Sequence, residues 1–361
     1  MVAWRAERQQ LAARARPGTL LDVVSRVCGL HAQVMGSAEL TAWTRVEGLA
    51  KGAVAAALWK DRTLVKTWAQ RGTLHLLPAS ELALWVAAQS EVRPRYEQPA
   101  WLRHHGLTRE GAEAMLEAIA RALAGGEWLT RRELAERVAG ATGVEALAEK
   151  LRGGFGDLLK PAAFRGDLCF APSAGPEVRF TSPAAWLGRP VALPPGPDAV
   201  REVARRYLAV YGPAPREQLA RWFGLRSPAQ AGRWIASLGD DVVETDLGWM
   251  LAADVEAAAA AEPSGVVRLL PAFDHYVVAA PRDEPAVLAA EHRGAVYRPQ
   301  GWLSPVVLVD GVMAGVWRHE LRGGRLVVDV EPFGDLPRAG VEAEAAALAS
   351  FLGAADVELG A

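Results

Sequence analysis

The apolar residues between about positions 197 and 254 recur first with a helical period and then with the alternation of β-strands. Asp198 can cap the first helix, and Ser227 followed by Pro228 is typical of the start of the third. Gly and Pro separate these segments, because neither residue continues a helix well. The predicted elements are helices from Asp198 to Tyr211, from Arg216 to Phe223 and from Pro228 to Leu238, and strands at Val242–Thr245 and Trp249–Ala252.

The same order of elements recurs between about residues 107 and 190. Thr108 and Thr130 are suited to cap helices, since a threonine oxygen can accept a hydrogen bond from the first helical turn. The segment Arg165-Gly166-Asp167 between two apolar pairs indicates a hairpin turn. The pattern predicts helices at Thr108–Leu123, Arg131–Val138 and Val144–Leu159, and strands at Pro161–Phe164 and Leu168–Phe170.

The two ends of the chain give a similar but less regular pattern. Near the start, helices at about 3–15, 19–29, 37–47 and 51–60 are predicted before strands Leu64–Ala69 and Thr73–Leu77. The turn between those strands is Gln70-Arg71-Gly72, where turn geometry explains the glycine. The C-terminal part predicts strands at Pro305–Val309, Val312–Arg318 and Arg325–Val330, a hairpin turn at Asp310-Gly311, and a helix from Gly340 to Leu352.

Three helices followed by a β-hairpin are typical of the winged helix, a form of the helix-turn-helix. The sequence therefore predicts an α+β fold of tandem winged-helix units with a C-terminal β-rich portion. The Pro-rich stretch 190–197 is the clearest linker. We expect winged-helix units at residues 1–100, 101–192 and 193–262, and the β-rich portion with its closing helix at 263–361.

Composition narrows the class of protein without naming its function. The chain has 361 residues, of which 51% are hydrophobic and 23% charged, as in ordinary globular proteins. No apolar run approaches the ~20 residues that span a bilayer, and the first ten residues lack the apolar segment of a signal peptide. We expect a cytoplasmic monomer that does not associate with membranes. Cys28 and Cys169 are interpreted as buried small apolar residues, and neither a metal nor a cofactor is expected.

The charge balance permits a nucleic-acid partner but does not predict one. The net charge is −2, which taken alone argues against nucleic acid. Local clustering matters more than the total, and 35 of the 40 basic residues are arginine, whose planar fork suits phosphates and guanine edges. A coding bias toward arginine and alanine explains the same numbers equally well.

Four motifs carry a resemblance to a known family. They are, in chain order, Gly29-Leu30-His31-Ala32-Gln33 with Ala42-Trp43-Thr44-Arg45, then Trp68–Leu76, then Arg206–Pro213, and last Leu270–Tyr276 with Val309-Asp310-Gly311 and Gly315–Arg318. In this order and spacing, the chain resembles the AlkZ/YcaQ-like winged-helix DNA glycosylases over nearly all of its length.

The resemblance implies winged helices that curve around double-stranded DNA and hydrolysis of the N-glycosidic bond of alkylated purines. The catalytic signature of the family is Gln-apolar-Gln, or Gln-apolar-Asp in the YcaQ-like branch. Aligned on it, Gln33 takes the second position and His31 stands where the first Gln is expected. Candidate DNA contacts, expected on one concave face rich in arginine, are Arg45, Lys66, Arg71, Thr73, His75 and Arg318.

The replacement of the first Gln by His31 is compatible with the chemistry. An N7-alkylated guanine is already cationic and leaves as a neutral base, so the enzyme has to place a water and tolerate a cationic sugar. A Gln carbonyl can orient that water, and a neutral imidazole can do the same and also accept its proton. The alternative reading is a non-catalytic winged-helix DNA-binding protein, such as a regulator or damage sensor, that retains the fold without the activity.

The catalytic interpretation requires a particular backbone structure at residues 30–34. On a continuous helix, positions two apart point in divergent directions, so His31 and Gln33 could not share a water. The reading therefore requires a helix end or a loop there, with both side chains accessible to solvent. Gly29 and Gly36 on either side favour such a break.

Other chemically conspicuous residues are interpreted as structural. Tryptophans such as Trp43, Trp59, Trp222 and Trp317 lie within apolar periodic runs and are expected in cores. Asp274 is interpreted as a buried aspartate that holds nearby backbone. The resemblance assigns no chemistry to Asp274.

Overall fold

The computed structural model describes residues 1–92, 97–153 and 156–360. It divides into two compact units, each built from separate stretches of the chain. Unit 1 comprises residues 1–55, 204–222 and 226–361, and unit 2 comprises residues 56–203 and 223–225. The division into four consecutive domains stays a prediction.

The N-terminal stretch is mostly helical, as its pattern predicts. The first helix is shorter than expected, because Gln10 takes a left-handed backbone conformation just after it. Beyond that point Ala15 pairs with Val46 as an isolated parallel bridge, which replaces the end of the predicted helix. The elements are α1 (Val2–Arg8), α2 (Leu20–Arg26), β1 (Leu30–His31), α3 (Met35–Trp43) and α4 (Ala53–Trp59).

The predicted hairpin around Gln70-Arg71-Gly72 is present. Strands β2 (Leu64–Trp68) and β3 (Leu74–Pro78) pair antiparallel, with Trp68 opposite Leu74. Two consecutive left-handed residues, Arg71 and Gly72, reverse the chain. Helices α5 (Leu82–Ser90) and α6 (Pro99–His105) follow.

The helices of the next stretch begin where their caps predict. Thr108 accepts a hydrogen bond from Gly111, and Thr130 and Glu133 form a reciprocal capping box. Gly153, in an extended conformation, ends the third helix earlier than predicted, and residues 154 and 155 of the predicted helix lie outside the described residues. The elements are α7 (Arg109–Leu123), β4 (Leu129–Thr130), α8 (Arg131–Thr142) and α9 (Glu145–Arg152).

The predicted hairpin across Arg165-Gly166-Asp167 is wrong, although its second strand, Leu168–Phe170, overlaps the strand that begins at Cys169. Pro161–Phe164 lies in helix α10 (Lys160–Phe164), which buries its short apolar run against the core of unit 2. Such a run does not distinguish a strand from a helical turn. The strand β5 (Cys169–Ala174) pairs instead with β6 (Glu177–Thr181), which the sequence pattern missed, and helix α11 (Pro183–Leu187) follows.

The segment with the clearest pattern folds as predicted within a few residues. Ser227 caps its third helix by accepting a hydrogen bond from Gln230. The two strands pair antiparallel, with Val242 opposite Leu251. The elements are α12 (Gly196–Tyr211), α13 (Arg216–Phe223), α14 (Pro228–Ala236), β7 (Val242–Thr245) and β8 (Gly248–Leu251).

The C-terminal part contains a five-stranded sheet whose strands, in spatial order, are β13 (Asp356–Gly360), β12 (Arg325–Pro332), β11 (Val312–Arg322), β10 (Val306–Val309) and β9 (Val267–Leu270). Its pairs are antiparallel except for β12 and β13, and the predicted turn at Asp310-Gly311 joins β10 to β11. The closing helix packs against this sheet through a cluster of buried aliphatic side chains. The elements are α15 (Val255–Ala260), β9 (Val267–Leu270), α16 (His275–Ala279), α17 (Arg293–Val296), β10 (Val306–Val309), β11 (Val312–Arg322), β12 (Arg325–Pro332), α18 (Arg338–Leu352) and β13 (Asp356–Gly360).

The chain is thus a mixed α/β protein with many helices and several small sheets. Cys28 and Cys169 are both buried, as expected. Trp43, Trp222 and Trp317 are core residues, as predicted, and Trp59 packs partly buried against the core of unit 2. None of the helices in the described ranges is long and apolar enough to cross a membrane.

Candidate functional site

Residues 32–34 form a loop between β1 and α3. The strand ends at His31 and the helix begins at Met35, after Val34 in an extended conformation. The predicted break at residues 30–34 is therefore confirmed. Because residues 32–34 are not helical, the divergence of side chains two positions apart on a helix does not apply to His31 and Gln33.

The two side chains differ in exposure. Gln33 is exposed, but His31 is buried, with 6% of its surface accessible. The expectation that both are open to solvent is therefore wrong for His31. The reason is a stacking contact: the imidazole lies against the Phe273 ring, with centroids 5.0 Å apart and planes inclined by 15°.

A second histidine holds the backbone of His31. The His31 N–H donates a hydrogen bond to Nε2 of His275, the first residue of α16, over 2.7 Å. An accepting Nε2 carries no proton, so in this arrangement His275 is neutral with its proton on Nδ1. Because His275 is itself buried, the contact fixes the position of the His31 backbone at the start of the loop.

Arg45 is completely buried, which contradicts its prediction as a DNA contact. Its side chain has no accessible surface and donates two hydrogen bonds of 2.7 Å to the two carboxylate oxygens of Asp274. It also donates to the Thr41 carbonyl and to Oγ1 of Thr44, each over 3.0 Å. A buried guanidinium has to be paired in this way, because burial without partners costs several kcal/mol.

Asp274 links this ion pair to the rest of the site. Its Oδ1 also accepts a hydrogen bond from the Tyr276 N–H over 2.8 Å and so caps α16. The carboxylate thereby holds the backbone between Phe273, which stacks on His31, and His275, which accepts from it. The interpretation of Asp274 as a buried residue that fixes backbone is confirmed.

His75 is also too buried to contact DNA directly. It lies in β3 with 1% of its surface accessible, and its Nδ1 is 3.0 Å from the Thr73 carbonyl. Thr73 is partly exposed, and its hydroxyl donates to the Gln70 carbonyl. The prediction of a DNA contact is therefore wrong for His75, whose side chain supports the hairpin, and stays a prediction for Thr73.

Arg71 lies at the tip of the same hairpin, within unit 2. Its backbone takes a φ of 60°, which is uncommon for a residue other than glycine. A Cβ atom on Gly224 would lie 2.9 Å from the Arg71 Cα, so the tip is packed and not simply a solvated turn. Arg71 also borders a cavity of about 200 Å³ with Trp101, Lys160 and Arg165 among its lining residues.

Lys66 and Arg318 have different surroundings. Lys66 is half-buried in β2, where its ammonium lies 5.5 Å from the centroid of the Phe170 ring, and burial lowers its pKa below the usual value. Arg318 projects from β11 with 82% of its side chain accessible and pairs with Asp329 over 2.9 Å. Their DNA contacts stay predictions.

The candidates fall into both units. His31, Gln33, Arg45 and Arg318 belong to unit 1, and Lys66, Arg71, Thr73 and His75 belong to unit 2. The single arginine-rich face stays a prediction. In the ranges that the structure describes, no group of three or more His, Cys, Asp or Glu side chains could hold a metal ion.

Sequence reasoning missed the residues that build the surroundings of His31. These are Phe273, which stacks on its ring, and His275, which accepts from its backbone. Both stand in the motif Leu270–Tyr276, so the motif marked the segment but not its role. The contacts join positions more than 240 residues apart, which no local pattern reveals.

A family model described as DNA glycosylase AlkZ-like matches residues 24–351 of this chain. The resemblance found in the four motifs is confirmed: the chain belongs to the AlkZ-like family of DNA glycosylases and is an enzyme of DNA repair. It is 39% identical to the interstrand DNA cross-link repair glycosylase of Streptomyces sahachiroi, over 97% of this chain and 95% of that protein. The solved structure of Streptomyces sahachiroi DNA glycosylase AlkZ matches with a TM-score of 0.88 and 37% identity, over 99% of this chain and 98% of that one.

Proposed function

We propose that this protein hydrolyses the N-glycosidic bond of N7-alkylated purines in double-stranded DNA, with His31 and Gln33 positioning the attacking water. The observation that carries the proposal is the loop at residues 32–34, which exposes Gln33 two residues after the anchored His31. Membership of the glycosylase family supplies the reaction class.

The chemistry requires little acid catalysis from the protein. Alkylation at N7 leaves the purine cationic, so the base departs as a neutral molecule when the bond to the sugar breaks. The side-chain carbonyl of Gln33 can accept a hydrogen bond from a water and direct its oxygen toward the sugar. The His31 ring, held by Phe273 and by the backbone contact to His275, forms a fixed wall beside that water.

The DNA would be held by winged-helix units acting in tandem. The order of α12, α13, α14 and the β7–β8 hairpin supports this assignment for residues 196–251. Arg318, Arg71 and Thr73 remain partly or fully exposed and are proposed to contact phosphates. We further propose that the protein acts as a monomer in the cytoplasm, at the nucleoid.

The relative from Streptomyces sahachiroi is named for repair of interstrand cross-links. This makes a duplex cross-linked through the N7 positions of two purines a second substrate to test. The chemistry is the same, because each end of such a cross-link is an N7-alkylated, cationic base.

The test is an incubation with duplex DNA that carries one N7-methylguanine, followed by chromatography of the released base. Base release by the full-length protein, above that of the spontaneous reaction, is the expected result. A protein that binds the duplex tightly but releases no base from this substrate or from the cross-linked one would support the non-catalytic alternative.

A further inference from the structure

His31, Phe273 and Trp302 form a continuous aromatic stack in unit 1. The rings of Phe273 and His31 are stacked, with their centroids 5.0 Å apart. Phe273 also contacts the Trp302 indole edge to face, with centroids 4.9 Å apart and ring planes inclined by 75°. Exposure rises along the stack from 6% at His31 to 49% at Trp302. The stack therefore leads from the candidate catalytic loop to an indole open to solvent.

The middle ring of the stack is held in place by a strained backbone. Phe273 has a φ of 60°, a left-handed conformation that is costly for an aromatic residue. Such a conformation persists when the surroundings over-determine it, and here the next residue, Asp274, is locked to buried Arg45 by two hydrogen bonds. The ring of Phe273 thus gives Trp302 a fixed support.

A second irregular turn presents Trp302. Gln300 has a φ of 59° and Gly301 a φ of 78°, and the Arg298 N–H donates to the Trp302 carbonyl over 2.9 Å. The described part of the chain has one other tryptophan of comparable exposure, Trp128, which is covered by Arg179 and packs on Trp186. A half-exposed indole on a rigid turn is a suitable surface for a planar ring.

The chemistry of the indole favours a particular kind of ring. Tryptophan is the aromatic side chain that best attracts a cation over its face, and nucleobases stack on it through their π-faces. An N7-alkylated purine is both planar and positively charged, whereas an unmodified purine is neutral. An indole at this position would therefore discriminate between damaged and intact bases.

We propose that Trp302 is a specificity-determining residue whose indole stacks on the cationic ring of an N7-alkylated purine beside the His31–Gln33 loop. The inference rests on the proposed function for the location of the substrate. It adds the group that recognises the damage, separate from the residues that position water.

The test measures discrimination without requiring the reaction. The probe is a duplex with one N7-methylguanine whose sugar carries a 2′-fluorine, which suppresses loss of the base, and the reference is the same duplex with unmodified 2′-fluoro-guanosine. The ratio of the two Kd values is measured for wild type, Trp302→Ala, Trp302→Leu and Trp302→Phe. We expect the alanine and leucine variants to lose about tenfold in this ratio and the phenylalanine variant to lose less.

Two controls separate recognition from folding. Trp128→Ala removes the other exposed indole and should leave the ratio unchanged, and thermal unfolding should show that the Trp302 variants are folded. Quenching of tryptophan fluorescence by the N7-methylguanine duplex should be weaker in Trp302→Phe than in wild type.

The outcomes for the inference and for the proposed function are distinguishable. Wild-type protein that discriminates through Trp302 but releases no base would support the inference and count against the proposed hydrolysis. Base release by wild type together with a ratio that does not change in Trp302→Ala would overturn the inference and leave the hydrolysis intact. A wild-type ratio of one would also overturn the inference.

Discussion

The guanidinium of Arg45 and the carboxylate of Asp274 form a two-bonded ion pair that has no accessible surface. The pair joins the segment after α3 to the segment that carries Phe273 and His275, the two residues in contact with His31. The loop that begins at His31 is therefore positioned through a charge pair that is closed to solvent.

Asp274→Ala should lower the free energy of unfolding by about 3–5 kcal/mol, because it leaves the guanidinium of Arg45 buried without its counter-charge. Denaturant unfolding measures the change. The matched control is Glu342→Ala, which removes an exposed pair with Arg338 and should cost less than about 1 kcal/mol. Equal losses in the two variants would show that the buried pair does not stabilise the fold.

Elements whose signals are local were predictable from the sequence. Helix α14 and its cap Ser227 follow from a few adjacent residues, and so does the reversal at Gly72. The secondary structure of residues 161–181 was not predictable, because the short apolar run at its start suits a strand and a helical turn equally. Which of the two forms depends on packing against the core.

The loop that carries the candidate catalytic residues was predictable from the sequence, but its surroundings were not. The spacing of His31 and Gln33 indicated the loop between β1 and α3. The burial of Arg45 could not be predicted, because its partner Asp274 lies 229 positions away and a basic residue in a motif resembles a DNA contact until that partner is known. His75 was misjudged for the same reason, since its burial depends on tertiary packing.

Lys66→Met should stabilise the protein at neutral pH. Burial holds the pKa of Lys66 below its usual value of 10.5, so the folded state disfavours the ammonium that the unfolded chain accommodates freely. Between the lowered pKa and 10.5 the unfolded state binds the extra proton, and stability therefore rises with pH across this window. The gain from methionine should be largest at low and neutral pH and shrink as the pH approaches about 10.

Denaturant midpoints of both proteins at pH 7, 8.5 and 10 measure this difference. Comparing the two proteins cancels other groups that titrate in the same range. A stability difference that is constant across the series, or a loss of stability in Lys66→Met at pH 7, would contradict the prediction.

Arg71→Ala should reduce the salt dependence of DNA binding. Each neutralised phosphate releases condensed counterion and contributes a slope of ~0.9 to the plot of log K against log salt. If Arg71 contacts one phosphate from the hairpin tip, its removal should lower the slope by about one unit. Binding titrations between low and moderate salt measure it, with the exposed Arg338→Ala as control. An unchanged slope would exclude Arg71 as a phosphate ligand, whatever happens to affinity.

Gln33→Ala should cut the rate of base release about a hundredfold, a typical loss for a residue that positions or activates a water, while DNA affinity barely changes. Gln33 is exposed in the loop and does not pack in a core, so the alanine variant should fold as wild type does.

Gln33→Asp should retain activity, because a carboxylate oxygen accepts a hydrogen bond from water as an amide carbonyl does. His31→Gln should preserve much of the activity, since its backbone N–H can still donate to His275 and glutamine is the residue that the family pattern has at this position. Single-turnover release of N7-methylguanine, measured beside the Kd for the same duplex, separates these effects. Loss of both affinity and release in Gln33→Ala would mean that Gln33 holds the DNA, and an unchanged rate would remove it from the reaction altogether.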